Sequence, residues 1–185
     1  DNIDELSLRA IVDWQASEDL SLKLTLFKVD ADNGYDAFSL ENTRRTLSDK
    51  PGHDRQESSA FAIHSHWQTN ALFDVVSLMS YADSDLEYGY DEDWAFPFIC
   101  SGQDCEGWEY NSEDNYLRDR GNSTLDIKLV SKNSISVLGR VNFAWVLGVY
   151  ARDQDEELLR QYTYNDDDFT SNFDTTNRAI YGQLD

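Results

Sequence analysis

The sequence predicts an all-β fold, an antiparallel up-and-down meander of about seven strands. Three observations predict it. Apolar and polar residues alternate in about seven segments, which is the period of strands with two unlike faces. The linkers between segments are short and long by turns. No stretch carries a helical period of useful length, and no run reaches the ~18 apolar residues of a membrane helix.

The elements follow in order. Leu6, Leu8, Ala10, Val12 and Trp14 share one face of the first segment, Ile3 to Trp14. Gln15 to Asp19 form a short turn into Leu20 to Val29, where Leu20, Leu22, Leu24 and Leu26 repeat the pattern. A third segment, Ser59 to Trp67, places Phe61, Ile63 and Trp67 opposite His64 and His66. Gln68 to Ala71 turn into Leu72 to Ala82, with Phe73, Val75, Met79 and Tyr81 on one face and Val76 and Leu78 blurring the other. Leu125, Ile127 and Leu129 mark the fifth strand. Val141, Phe143, Trp145, Leu147 and Val149 mark a sixth, after a ten-residue turn from Ser131 to Arg140 that breaks the rhythm of short turns. A weaker seventh runs from Asn177 to Leu184. Pro51 and Pro97 fall in expected loops, where no ladder bond is lost.

Between these strands lie three long stretches, 30–57, 83–122 and 152–174. They carry net charges of −3, −10 and −6, which is −19 of the chain's −21. That charge argues against a nucleic-acid partner. Short turns at one end and long loops at the other are the pattern of outer-membrane barrels. Trp14 and Trp67 beside short turns fit an interfacial aromatic girdle. The alternative for the apolar face is a second sheet about 10 Å away, as in a soluble β-sandwich.

Of 24 aromatic residues, 14 lie in the long stretches. Tyr88, Tyr90, Trp94, Trp108 and Tyr110 in the middle stretch are the candidate ligand-binding residues, since Tyr and Trp make amphipathic anchors. The other reading is loops packed on themselves. The acidic surroundings favour cationic, hydroxylated or metal-bearing ligands over anions. Cys100 and Cys105 sit in the same stretch and suggest a small disulfide in an oxidising compartment, with free thiols the alternative. Two cysteines lack the remaining ligands of a zinc site.

Other constellations point to no metal and no catalysis. His64 and His66 share a face without a third ligand fixed nearby. Asp30, Asp32, Asp36 and Glu41 approach a calcium loop, but Gly34 is fifth where the turn glycine must be sixth. The acidic runs 83–93 and 166–168 offer carboxylates, yet nothing positions an acid against a nucleophile. There is no nucleophile elbow, phosphate loop or zinc-helix motif. No cofactor is expected.

Three stretches, 30–40 (DADNGYDAFSL), 80–91 (SYADSDLEYGYD) and 145–151 (WVLGVYA), resemble the barrel strands of TonB-dependent outer-membrane receptors. The ending 180–184 (IYGQL) is similar to the next strand of such barrels. The resemblance covers most of the chain. It implies that residues 1–185 are a single mid-barrel segment, about a third of a 22-stranded barrel, without the N-terminal plug. The implied setting is the cell outer membrane of a Gram-negative bacterium, where the whole receptor takes up a siderophore, cobalamin or oligosaccharide. Its partners would be outer-membrane lipid, a small-molecule or metal-chelate ligand held by the loops, and the TonB complex acting through the missing plug. No plug residue has a matching position here, so no transport residue is carried over. An isolated segment exposes two edges and an apolar face, so it is expected to fold over or to form a homodimer. The alternative function is a secreted acidic β-sandwich that binds carbohydrate.

Overall fold

The computed structural model describes residues 3–34, 39, 42–102, 111–132, 135–137, 141–164 and 167–185. Among these residues nine strands form: β1 (Glu5–Gln15), β2 (Leu20–Gly34), β3 (His53–Trp67), β4 (Phe73–Asp91), β5 (Glu113–Ser131), β6 (Ile135–Val137), β7 (Val141–Phe143), β8 (Trp145–Tyr162) and β9 (Phe169–Leu184). Seven of them make one open antiparallel sheet in the order β1-β2-β3-β4-β5-β8-β9. Among the described residues β6 and β7 pair only with each other. The expected meander of seven strands is therefore present.

The strands are longer than alternation alone suggests. β4 and β5 each hold 19 residues and pair along their whole length, from Phe73↔Ser131 to Asp91↔Glu113. Much of the three long stretches is thus strand. The segments that join strands at this end shrink to 35–52, 92–112 and 163–168. Apolar alternation stops at about Tyr81 on β4, but hydrogen bonding does not. Charged residues take over the alternating positions, and that hides the strand from a hydropathy pattern.

Local bonds set the turns at the other end. Ala16 N–H donates to Leu20 C=O at 2.9 Å, closing β1 onto β2. The Asn70 side-chain oxygen accepts from Leu72 and Phe73 N–H at 2.7 and 3.1 Å and starts β4, a standard use of Asn in turns. The strand expected from Val141 begins instead at Trp145. Trp145 N–H donates to the Ser131 hydroxyl at 2.9 Å rather than to a backbone carbonyl. The β5–β8 ladder ends there, and the ten-residue turn becomes part of the small β6–β7 hairpin.

The ladders run without a bulge, so each strand keeps one set of side chains on each face. Within the seven-stranded sheet the apolar sets named above lie on one face; Val141 and Phe143 belong to β7 instead. That face carries an apolar band beside the short turns and charged residues beyond it; we call it the banded face and the other the polar face. Nothing covers the band among the described residues. Leu8, Val12, Trp14, Trp67, Leu147 and Ile180 are exposed, and Ala95 is the single buried apolar residue among those described. The accessible surface is 13025 Å². A compact chain of 21.3 kDa would show about 9,100 Å². The sheet does not fold over on itself, and no second sheet builds a sandwich core among the described residues.

Candidate functional site

The site lies on the polar face at the charged end of β4, β5 and β8. Tyr88 and Tyr90 are alternate residues of β4, so both side chains stand on one face. Register places Tyr116 opposite Tyr88, Asp114 opposite Tyr90, and Arg160 opposite Tyr116. Asp114, only 1% exposed, is the hub. Arg160 donates to it through Nε at 2.8 Å and Nη2 at 2.7 Å. The Tyr116 hydroxyl donates to it at 3.0 Å and the Tyr90 hydroxyl at 3.3 Å. The Arg160 guanidinium also lies over the Tyr116 and Tyr162 rings, 5.2 and 4.9 Å from their centroids. Its charge is thereby shared between a carboxylate and two π faces.

The titration behaviour follows from this packing. Burial pushes the Asp114 carboxyl up, but the hydrogen bonds from Arg160 and Tyr116 and the Arg160 charge outweigh it. The group is held below the ordinary aspartate range. Burial, then the Asp114 charge, pushes the Tyr90 phenol up to about 12. Tyr116 rises for the same two reasons, with its hydrogen bond to Asp114 adding to them. Both phenols stay neutral hydroxyl donors at any physiological pH.

A cleft of about 530 Å³ opens beside this hub, lined by Tyr88, Tyr90, Glu92, Trp94, Tyr116 and Arg118. Tyr88 packs tilted against Tyr90 and Tyr116, with centroids 5.7 and 6.3 Å apart. Trp94 lies in the segment after β4 at φ 58°, a left-handed conformation rare for a bulky residue. Its turn is held on both sides. The Asp93 carboxylate accepts from Ala95 N–H at 3.0 Å and from Ser112 N–H at 2.8 Å. Asp49 N–H donates to Ala95 C=O at 3.0 Å. Strain of this kind gathers at ligand-binding sites.

Three of the five aromatics singled out from sequence, Tyr88, Tyr90 and Trp94, thus line one cleft. Tyr88 and Tyr90 are strand residues rather than loop residues. Trp108 and Tyr110 lie outside the described residues. Cys100 is disulfide-bonded, and Cys105 lies outside the described residues. Sequence reasoning missed Asp114, Arg160 and Tyr162, and counted Tyr116 among the aromatics of the middle stretch without making it a candidate. The signal was present in the alternating Asp114, Tyr116, Arg118 and Arg120, but it is polar alternation, which a search for apolar period passes over.

The remaining candidates are placed as follows. His66 Nε2 lies 3.1 Å from Asp74, which also pairs with Lys132 at 2.9 Å. Asp30 and Asp32 belong to β2 rather than to a calcium loop, and Asp36 and Glu41 lie outside the described residues. Asp83, Asp85 and Glu87 stand on the banded face, away from the cleft. The described residues contain no group of three or more His, Cys, Asp or Glu arranged to hold a metal ion.

The geometry defines an open antiparallel meander with an aromatic cleft on its polar face. No protein-family model, curated protein or solved structure matches the chain.

Proposed function

We propose that this chain is a stretch of outer-membrane barrel wall from a receptor of the TonB-dependent type. In this reading the banded face meets lipid, the polar face lines the lumen, and the tyrosine cleft is part of the surface that captures the ligand. Uptake itself belongs to the whole receptor, with its plug and the TonB complex. No catalysis is proposed.

The observation that carries the reading is the slant of the apolar band. Its last apolar residue before polar or charged positions is Leu6 on β1, Leu26 on β2, Phe61 on β3, Tyr81 on β4, Leu125 on β5, Ala151 on β8 and Ile180 on β9. In register, Leu26, Phe61 and Tyr81 share one row. Leu6 lies two rows above that row, Leu125 and Ala151 one row below, and Ile180 two rows below. A row is two residues, so the boundary slips by eight residues across six strand-to-strand steps. At ~3.4 Å per residue and ~4.8 Å per step, this is roughly 27 Å of slip over 29 Å of width. The implied angle is about 43°, within the ~35–45° tilt of strands in membrane barrels. A soluble sheet has no reason to cut its apolar surface along that diagonal.

The band's length and ends agree. β1 from Leu6 to Trp14 and β4 from Phe73 to Tyr81 each give nine residues of band, near the ~9–11 that span a bilayer at such a tilt. Aromatic residues mark both ends. Trp14, Trp67, Phe73 and Trp145 stand by the turns, with Phe73 and Trp145 6.2 Å apart; Phe61 and Tyr81 are paired at 6.1 Å at the charged boundary. Polarised infrared spectroscopy of the chain in oriented bilayers tests the reading. Amide dichroism corresponding to strands about 40° from the membrane normal is expected. An isotropic signal, or strands lying flat on the surface, would refute it.

A further inference from the structure

We infer that the polar face binds an anionic small molecule, one bearing carboxylate or phosphate groups, on a strip formed by Arg118, Arg120 and Arg152. The inference rests on the reading of this face as the ligand-facing one, and it supplies the ligand's chemistry. The composition of the chain points the other way, and the sheet explains why composition misleads. Within the seven strands the banded face carries 13 acids and 3 bases. The polar face carries 7 of each. Of the net −21, the banded face behind the sheet carries −10, the polar face none, and the residues outside the seven strands the other −11. Side-chain heads on opposite faces are about 10 Å or more apart, beyond the ~8 Å Debye length at physiological salt.

The polar face is locally positive. Arg118 Nε and Arg120 Nη2 converge on one carboxylate, Glu156, at 3.1 and 2.6 Å. Arg152 has no acid partner among the described residues: its Nε donates to the Asn122 side-chain oxygen at 2.9 Å and its Nη2 to that of Gln154 at 2.7 Å. Three guanidiniums thus face one carboxylate. Of the nearby acids, Asp114 is paired with Arg160, Asp126 keeps its charge while accepting from the Tyr181 hydroxyl at 2.6 Å, and Glu92, at the cleft, accepts from the Ser112 hydroxyl. The side chains of Arg118 and Arg120 are 37% and 42% exposed, so they are open to a ligand. The amide oxygens hold the Arg152 fork in place without neutralising it, which preorganises it for an oxyanion. Arg118 also lines the tyrosine cleft, so the strip and the cleft are continuous. A molecule with an anionic group and a flat apolar part would engage both.

The test is titration calorimetry of the 185-residue chain in lipid nanodiscs, with citrate and inorganic pyrophosphate as probes and maltose as a neutral control. At least one anion is expected to bind, more weakly as salt is raised, and maltose is not expected to follow that salt dependence. Arg152→Gln and Arg120→Gln should each weaken anion binding by about tenfold. Arg55→Gln, on the banded face, should leave it unchanged. The inference is overturned if neither anion binds at about 10 mM, or if Arg55→Gln weakens binding as much as Arg152→Gln. Quenching of tryptophan by brominated lipid in the same nanodiscs reports membrane embedding separately. Embedded strands without anion binding would sink the strip and spare the barrel; anion binding without embedding would do the reverse.

Discussion

Gly148 and Tyr181 make the sharpest prediction, because the same substitution should change sign with its neighbour. They are cross-strand partners on β8 and β9, on the polar face. The Tyr181 ring lies over the glycine, and a Cβ at position 148 would meet Tyr181 Cζ at 2.3 Å and its hydroxyl at 2.5 Å. Gly148→Ala must therefore swing the ring away and break its 2.6 Å hydrogen bond to Asp126. A hydrogen bond to a charged group contributes ~1.5–3 kcal/mol, and partial exposure of Tyr181 reduces that to about 1 kcal/mol, with lost ring packing adding to it. Against this, removing a strand glycine gains ~0.5–1 kcal/mol. Gly148→Ala should cost about 1 kcal/mol in the native chain. In a Tyr181→Ala background, where nothing blocks the Cβ, it should stabilise by ~0.5 kcal/mol. The assay is urea unfolding in micelles, followed by tryptophan fluorescence, for the four chains of the cycle. Equal costs of Gly148→Ala in both backgrounds would refute the reasoning.

Two further predictions concern the hub and the band. Asp114→Asn should destabilise by about 2–3 kcal/mol in the same urea assay, less than in a fully buried pair because Arg160 is 36% exposed. The Asp114 carboxyl is held below its unfolded value near 3.9, so its contribution is complete above that pH and is lost as pH falls through the lower folded value. Native stability should therefore drop below about pH 4 more steeply than that of Asp114→Asn, and parallel acid-unfolding curves would contradict this. Ile127→Lys, in mid-band between Ser77 and Val149, should cost ~2–4 kcal/mol in lipid vesicles. Thr124→Lys on the polar face should be nearly neutral, and equal costs for the two in vesicles would remove the distinction between the faces.

The sequence made the architecture legible where one face is apolar. The sets Leu20 to Leu26 and Leu125 to Leu129 specify period, face and approximate length, because a one-residue slip would exchange the two faces. The charged halves of the same strands were not legible. Asp83, Asp85 and Glu87 alternate with Ser84, Leu86 and Tyr88, and neither set announces a core. The Ser131 hydroxyl that ends the β5–β8 ladder has no sequence signature. Part of the site could be read, since Tyr88, Tyr90 and Trp94 stand out in an acidic stretch. Its hub could not: Asp114 and Arg160 are 46 residues apart and meet only through strand register. The balance of charge also misled, because a total of −21 says nothing about which face the acids occupy.

Whether the banded face meets lipid is read by depth-dependent quenching with brominated lipids. Trp14, Trp67 and Trp145 stand on that face beside the turns, and each would be kept in turn as the sole band reporter in the chain reconstituted into vesicles. Strong quenching of all three is expected, greatest for bromines near the headgroup boundary, where an aromatic girdle sits. A folded chain whose three tryptophans escape quenching at every bromine depth would contradict it.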